Sequence, residues 1–205
     1  MQRVVYYQGD QIYFSPIEMT DEPLLRKWIN DPRVWSTVSF RPPINAQRET
    51  EWIENLGKSD TEFHFGIVVR DGDRLIGTCS LHTRGVHKHS ASLGIAIGDI
   101  DSQNQGYGKE AMRLLVKFGF EEMNLNRIEL CVFEHNARAI RVYESVGFLQ
   151  EGRHRQASYR NGQYRDIYRY AILRQEYDAA KSAERESVGD NANAEMSDDN
   201  LAAGR

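Results

Sequence analysis

A chain of 205 residues is long enough for one well-cored domain and too short for two of ordinary size. Its 40% hydrophobic and 27% charged residues are ordinary for a globular protein, and no apolar run approaches the roughly 18 residues that a membrane span needs. The formal net charge of −4 is unevenly placed: residues 179–205 hold six acids and three bases, which leaves 24 acids and 23 bases for the body. A nearly neutral body gives no electrostatic case for a nucleic-acid partner.

The opening, MQRVVYYQGD, has a short apolar patch followed at once by polar residues, so no signal peptide is expected. QIYFSPI (Gln11–Ile17) reads as a first strand. Thr20 then offers an N-cap to a helix reaching about Asn30, with Leu24, Leu25, Trp28 and Ile29 on its apolar stripe. DPRVWSTVSFRPP is expected to be a loop, and INAQRETEWIENLG a second helix that stops at Gly57. Three strands follow, FHFGIVV, RLIGTCSLH and SASLGIAIG, the first two joined by a turn at Asp71-Gly72. Gly108 to Met123 is the next helix, with Ala111, Met112, Leu115, Val116 and Phe118 on one broad apolar face. RIELCVF is a near-continuous strand of the kind buried on both faces. NARAIRVYESVG is a helix between Asn136 and Gly147. A final hairpin turns at Asn161-Gly162. The order predicts one α+β domain over residues 1–178 around a mixed sheet of about seven strands. Residues 179–205, almost without large apolar side chains, are expected to be a disordered acidic tail. Cys79 and Cys131 both sit in apolar runs, and buried, reduced thiols in a cytoplasmic protein are the expectation.

The stretch QNQGYGKEA (Gln103–Ala111) has two readings. As a dinucleotide loop, Gly106, Gly108 and Ala111 fit G-x-G-x-x-G/A, and Glu129 lies 23 residues past Gly106. Against this, the polar link DIDSQNQ separates Gly106 from the preceding strand, and no second βαβ half follows. As an acyl-CoA loop, Gln103-Asn104-Gln105-Gly106-Tyr107-Gly108 matches Q/R-x-x-G-x-G/A letter for letter. Either loop works by aiming backbone N–H groups and a helix N-terminus at a pyrophosphate, with glycines permitting close approach.

Thirty residues on, Asn136–Phe148 (NARAIRVYESVGF) carries Asn, Ala at +3, Tyr at +7 and Gly-Phe at +11 and +12. With both motifs present, residues 11–177 resemble the GCN5-related N-acetyltransferase (GNAT) superfamily. They look most like its ribosomal-protein alanine and spermidine acetyltransferase branch, through SPIEMTDEPLLRKWIND and the ending YESVGFLQEGRHRQASYRNGQYRDIYRYAILRQEY. The resemblance implies a three-layer α/β/α fold with a mostly antiparallel sheet, and acetyl-CoA as co-substrate. The donor would lie between SLGIAIG and RIELCVF. Main-chain groups of Ile95, Ala96 and Ile97 would pair with its pantetheine, with the Ile97 amide as oxyanion donor. Gln103 and Gln105, Gly106, Tyr107, Gly108 and Lys109 would take the pyrophosphate. Asn136, with Ala139, would contact the cofactor, although an asparagine there also suits a helix N-cap. Tyr143 would be the general acid for the departing thiolate, against the plainer reading of a core tyrosine spaced from Ile140 and Val146.

The base is the departure. Many members of this branch carry Glu where SASLGIAIG has Ser92, and serine is no base near neutrality. An α-amine of pKa about 7.7–8.0 asks less of a base than a lysine-like amine near 10.4. This tilts the expected acceptor toward a protein N-terminus or amino sugar over a polyamine. His64, His82 and Glu134 are substitutes that no spacing specifies. GVHKHS suggests a hairpin tip, since His87 and His89 have no third metal ligand, and no metal is expected. Arg153, Arg155, Arg160, Arg165 and Arg169 read as a solvated or homodimer-facing hairpin face. Trp35, Phe40 and Arg41 are expected to line the acceptor site. Neither cysteine sits in a nucleophile motif, so direct transfer to a small amine or protein N-terminus is expected. The rivals are a catalytically silent acetyl-CoA-binding relative and the dinucleotide-dependent oxidoreductase.

Overall fold

Ile12 and Phe14 on one side and Tyr13 on the other are all buried, so the first long strand is sandwiched on both faces. In the computed structural model, residues 3–38, 43–84, 87–160, 162–183 and 185 are described, with only the main chain considered for Arg84, His87 and Lys88. The strands are β1 (Tyr7–Gln8), β2 (Ile12–Ser15), β3 (Glu62–Val69), β4 (Arg74–Arg84), β5 (His87–Ile97), β6 (Arg127–Phe133), β7 (Leu149–Arg160) and β8 (Gln163–Leu173). The helices are α1 (Glu22–Ile29), α2 (Pro32–Trp35), α3 (Ala46–Leu56), α4 (Tyr107–Glu121), α5 (Ala137–Val146) and α6 over 174–183.

The strands form one sheet in the order β1-β2-β3-β4-β5-β6-β8-β7. Every neighbouring pair is antiparallel except β5–β6, and α4 supplies the crossover that a parallel pair requires. The larger core lies under α4 and α5 and takes Ile12, Phe14, Ile67, Val69 and Ile76 from the sheet. Their neighbours Tyr13, Val68 and Leu75 turn to the opposite face, where they meet Leu25 of α1 and Ile53 of α3. Period-two strands with two buried faces thus give the expected three layers.

Several local expectations change. Among the described residues there are eight strands where about seven were expected, because the patch before Gln11 forms β1: Tyr6 N–H donates to Phe14 and Gly9 N–H to Ile12. Two residues are too few for alternation to mark a strand. The expected loop holds α2, started by Asp31, whose side chain accepts the Arg33 N–H. Thr20 is not the cap of α1; it sits in a 3-10 turn, Met19–Asp21, where Asp21 accepts the Glu18 N–H at 3.0 Å. β6 is not buried on both faces: Ile128, Leu130 and Val132 are buried while Cys131 between them is exposed. Cys79 alone is the buried thiol expected of both cysteines. At the final hairpin Arg160 pairs with Gln163 around a two-residue loop with Gly162 at φ +77°; Asn161 lies outside the described residues. α6 runs through residue 183, five residues into the stretch expected as a tail, and apart from Arg185 the rest of that stretch lies outside the description.

Candidate active site

β5 and β6 pair only at Ser90–Arg127, Ala91–Ile128 and Ser92–Glu129, and then separate. Beyond Ser92, β5 stays in register with β4 as far as Ile97 opposite Gly77, so its other edge faces an open gap. Successive residues turn their main-chain groups to alternate edges. The His89 carbonyl accepts from Asn126 on the β6 side, and the Ile97 carbonyl accepts from the Gln103 side chain at 2.9 Å. Ile95 and Ile97 therefore present N–H and C=O to the gap, while those of Ala96 face β4. Such an edge needs a partner for its polar groups, and an extended amide-bearing ligand is one.

The gap opens into a cleft of roughly 510 Å³ under the N-termini of α4 and α5. Gly106 caps α4 at φ +88°, a left-handed conformation costly for residues with a Cβ. The first N–H groups of α4 have no acceptor within the helix and aim at the cleft with the positive end of its dipole. Lys109 in the first turn, and Arg138 and Arg141 of α5, add three cations to the walls. Ile95, Ala96, Ile97, Gln103, Gly106, Gly108, Asn136, Ala139 and Tyr143 also line it, so most of the expected donor-site residues converge.

Three of the expected donor-site residues, Gln103, Gln105 and Tyr107, have side chains engaged otherwise than the sequence implied, and Asn136 takes the helix-cap role left open for it. Gln103 bridges, its Nε2 on the Ile97 carbonyl and its Oε1 accepting from Arg138 at 2.7 Å, so its side chain organises the cleft. The Gln105 side chain turns back to the Asp101 carbonyl, and Tyr107 packs on the core, leaving only their main chain near the loop. Asn136 is a helix cap, its Oδ1 accepting the Ala139 N–H at 3.2 Å, while it also lines the cleft. Arg138, Arg141 and Thr37 were not singled out from the sequence; the signal available was two arginines three apart just inside a helix start, which places both on one face.

Tyr143 is 9% exposed, packed near Phe148 and Tyr170 at ring distances of 6.2 and 6.5 Å. Burial pushes its phenol up to about 12, so it holds its proton across the neutral range. It lines a second cavity too, of roughly 480 Å³, with Thr37, Ser80, His82, Gly94, Cys131 and Phe133. Cys79 and Leu81 face the α4 core, so Ser80 and His82 face the other layer. Tyr143 therefore stands at a window through the sheet, reached from one face by the cationic cleft and from the other by a cavity of mixed polar and apolar lining. A third cavity of roughly 360 Å³ adjoins Ala96 and is walled by Trp28, Trp52, Ile44, Arg48 and Glu49, among others. Burial and the nearby Glu22 carboxylate raise the Glu49 pKa.

Of the expected base substitutes, Glu134 pairs with Arg165 at 3.6 Å, while His64 and His82 meet over Glu62 with ring centroids 4.9 Å apart. Glu62 was not singled out from the sequence. His89 Nδ1 faces the Asn124 carbonyl at 3.2 Å; the side chain of His87 lies outside the described residues. Trp35 is near the site through its carbonyl, which Arg160 grips at 2.8 Å, while Phe40 and Arg41 lie outside the described residues. Arg160 is not on a solvated face: it is half-buried, stacked 4.6 Å over Phe133 and bonded also to the Val38 carbonyl. Among the described residues no helix is long and apolar enough to cross a membrane.

Comparison with known proteins agrees with this geometry. Residues 11–149 match the acetyltransferase (GNAT) domain. The "Probable N-acetyltransferase YjcK" of Bacillus subtilis is 37% identical over 176 residues, covering 81% of this chain and 96% of the relative. The spermidine N(1)-acetyltransferase of Vibrio cholerae is 28% identical over 169 residues, covering 82% and 96%. A crystal structure of spermidine N-acetyltransferase from Vibrio cholerae, in complex with CoA and spermine, superposes with a TM-score of 0.77 at 24% identity, covering 82% of this chain and 99% of that one. The chain belongs to the GNAT family of N-acetyltransferases.

Proposed function

We propose that the protein uses acetyl-CoA to acetylate a primary amine by direct transfer, the acceptor being a protein N-terminus, an amino sugar or another small amine. The observation that carries this is the window at Tyr143, where a cationic cleft and a cavity without a described carboxylate meet across the edge that β5 turns away from β4. The likeness to a fold seen with CoA bound supports the donor. Acetyl-CoA supplies the activated acyl group and a leaving thiolate.

In this reading the α4 N-terminus, Lys109, Arg138 and Arg141 hold the phosphates. The Ile95 and Ile97 edge pairs with the pantetheine amides, and the Ile97 N–H stabilises the oxyanion. Tyr143 donates a hydrogen bond, and shares its proton, with the departing sulfur. The apolar surroundings that raise its phenol also raise the proton affinity of a thiolate beside it, so the two stay comparable. The cavity on the acceptor side has walls with no described carboxylate (Thr37, Val38, Leu93, Ile95, Phe133 and Ile167 among them), which supports an amine with an uncharged body over a polyamine.

The test is thiol release from acetyl-CoA over a panel of α-amines, amino sugars and polyamines, with binding of acetyl-CoA and NAD(P) compared by thermal shift. Turnover with an α-amine or amino sugar and a shift by acetyl-CoA alone are expected. Binding without turnover would make the chain a silent relative, and a shift by NAD(P) alone would overturn the donor.

A further inference from the structure

Resting on the acetyltransferase reading above, we propose that His82, reached through the hydroxyl of Ser80 and backed by Glu62, is the base that takes the acceptor's proton in this chain. Ser92, where the family resemblance implies a Glu, has His82 as its partner across the β4–β5 ladder. A base has thus not been lost from this part of the sheet; it stands one strand over, on the same face. Ser80 Oγ lies 2.8 Å from His82 Nε2, and the other ring nitrogen, Nδ1, faces Glu62 Oε1 at 3.7 Å.

Glu62 spans the two rings, one oxygen 3.4 Å from His64 Nε2 and the other 3.7 Å from His82 Nδ1, and this charge biases the direction of the relay. A carboxylate beside Nδ1 favours the tautomer with its proton there, which leaves the Nε2 lone pair to accept from Ser80. The titratable groups facing His82 are Glu62 and His64 on β3 and, across the cavity, Cys131 on β6 and Tyr143 on α5; Ser92 on β5 is uncharged. Arg48 and Glu49 of α3 wall the neighbouring cavity. Burial and the adjacent His82 lower the His64 pKa, which keeps a second positive charge away from His82. Gly94 pairs with Ser80, and a Cβ at Gly94 would come within 3.0 Å of Ser80 Oγ, so the glycine leaves the hydroxyl open to the cavity it shares with Tyr143.

The balance is simple. An ammonium acceptor loses one proton to Ser80 as Ser80 passes its own to His82 Nε2, giving an imidazolium opposite Glu62. The free amine forms the new C–N bond, the C–S bond breaks on collapse, and the nitrogen's second proton ends on the thiol. One proton per turnover leaves His82 for solvent past the half-exposed Glu62.

The test uses the whole chain, with kcat and kcat/KM measured against pH for wild type, H82Q, S80A and E62Q, and acetyl-CoA Kd measured separately. H82Q is expected to lose roughly 10²-fold in kcat and the acidic limb of the profile, S80A about tenfold, and E62Q a few-fold, since Glu62 acts by positioning. Acetyl-CoA Kd stays within about twofold of wild type for all three. E62Q, at an exposed site, keeps the test informative if H82Q folds poorly. An unchanged acidic limb in H82Q, or an unchanged kcat in E62Q, overturns the relay alone. One copurifying zinc per chain, with turnover lost on chelation, overturns it in favour of a metal site at Glu62, His64 and His82. A wild type that binds acetyl-CoA but acetylates no amine overturns the underlying reading and the relay with it.

Discussion

Gln103 ties the last residue of β5 to the start of the α4 loop: its Nε2 donates to the Ile97 carbonyl at 2.9 Å while Arg138 donates to its Oε1 at 2.7 Å. One side chain thus couples the strand edge, the loop and α5, the three elements that form the cationic cleft. Q103A leaves a cleft carbonyl without its partner and frees Arg138. The expected cost is about 1–1.5 kcal/mol of acetyl-CoA binding, roughly a five- to tenfold rise in Kd by calorimetry. Because the two side chains share one hydrogen bond, Q103A and R138A together should cost less than the sum of the two.

Gly106 carries the turn into α4 at φ +88°. Nothing lies within 4 Å of an added Cβ, so G106A tests conformation free of collision. About 1–2 kcal/mol of stability should be lost, with weaker acetyl-CoA binding as the first N–H groups of α4 lose their aim. Equilibrium denaturation and calorimetry on the same variant would check both.

Arg160 grips the Trp35 and Val38 carbonyls and stacks on Phe133, joining the final hairpin to the segment after α2. R160A should lower stability by about 2 kcal/mol, read as a fall in Tm. R160K is expected to recover little of it, since lysine has no planar fork to bridge two carbonyls or stack on a ring. Thr37 and Val38 line the cavity proposed for the acceptor, so acceptor KM should rise while acetyl-CoA Kd holds.

The two motif segments were legible because each fixes its own local structure. Gly106 at a helix start, Asn136 as a cap and Gly147 closing α5 at φ +103° are chain-local choices, and the structure keeps all three. Legibility fails where partners come from distant strands. Glu62 and His82 are twenty residues apart and meet only through the β3–β4 register. Arg160 reads as one of several hairpin arginines until the fold brings it against Trp35. Cys131 sits in an apolar run, yet its side of β6 loses cover because β5 parts from β6 after Ser92. A separation of strands has no sequence period.

Alkaline stability reports on the buried phenol. The Tyr143 pKa is about 12 in the folded chain, against about 10 for an unperturbed tyrosine. A raised folded pKa gives stability that is fully present below pH 10 and is lost as pH rises toward 12, because only the unfolded chain gives up its proton in that window. The wild-type stability should fall more steeply than that of Y143F between about pH 10 and 12, by up to about 2–3 kcal/mol across the window. Parallel curves from pH-dependent denaturation would contradict the buried, protonated phenol.

The most direct test of the central claim, that Tyr143 at the window serves the departing sulfur, is Y143F under saturating amine with acetyl-CoA Kd measured separately. The expected result is a fall in kcat of roughly 10²-fold or more with Kd within about twofold of wild type. A variant with unchanged kcat, or one whose loss lies wholly in acetyl-CoA binding, would contradict it.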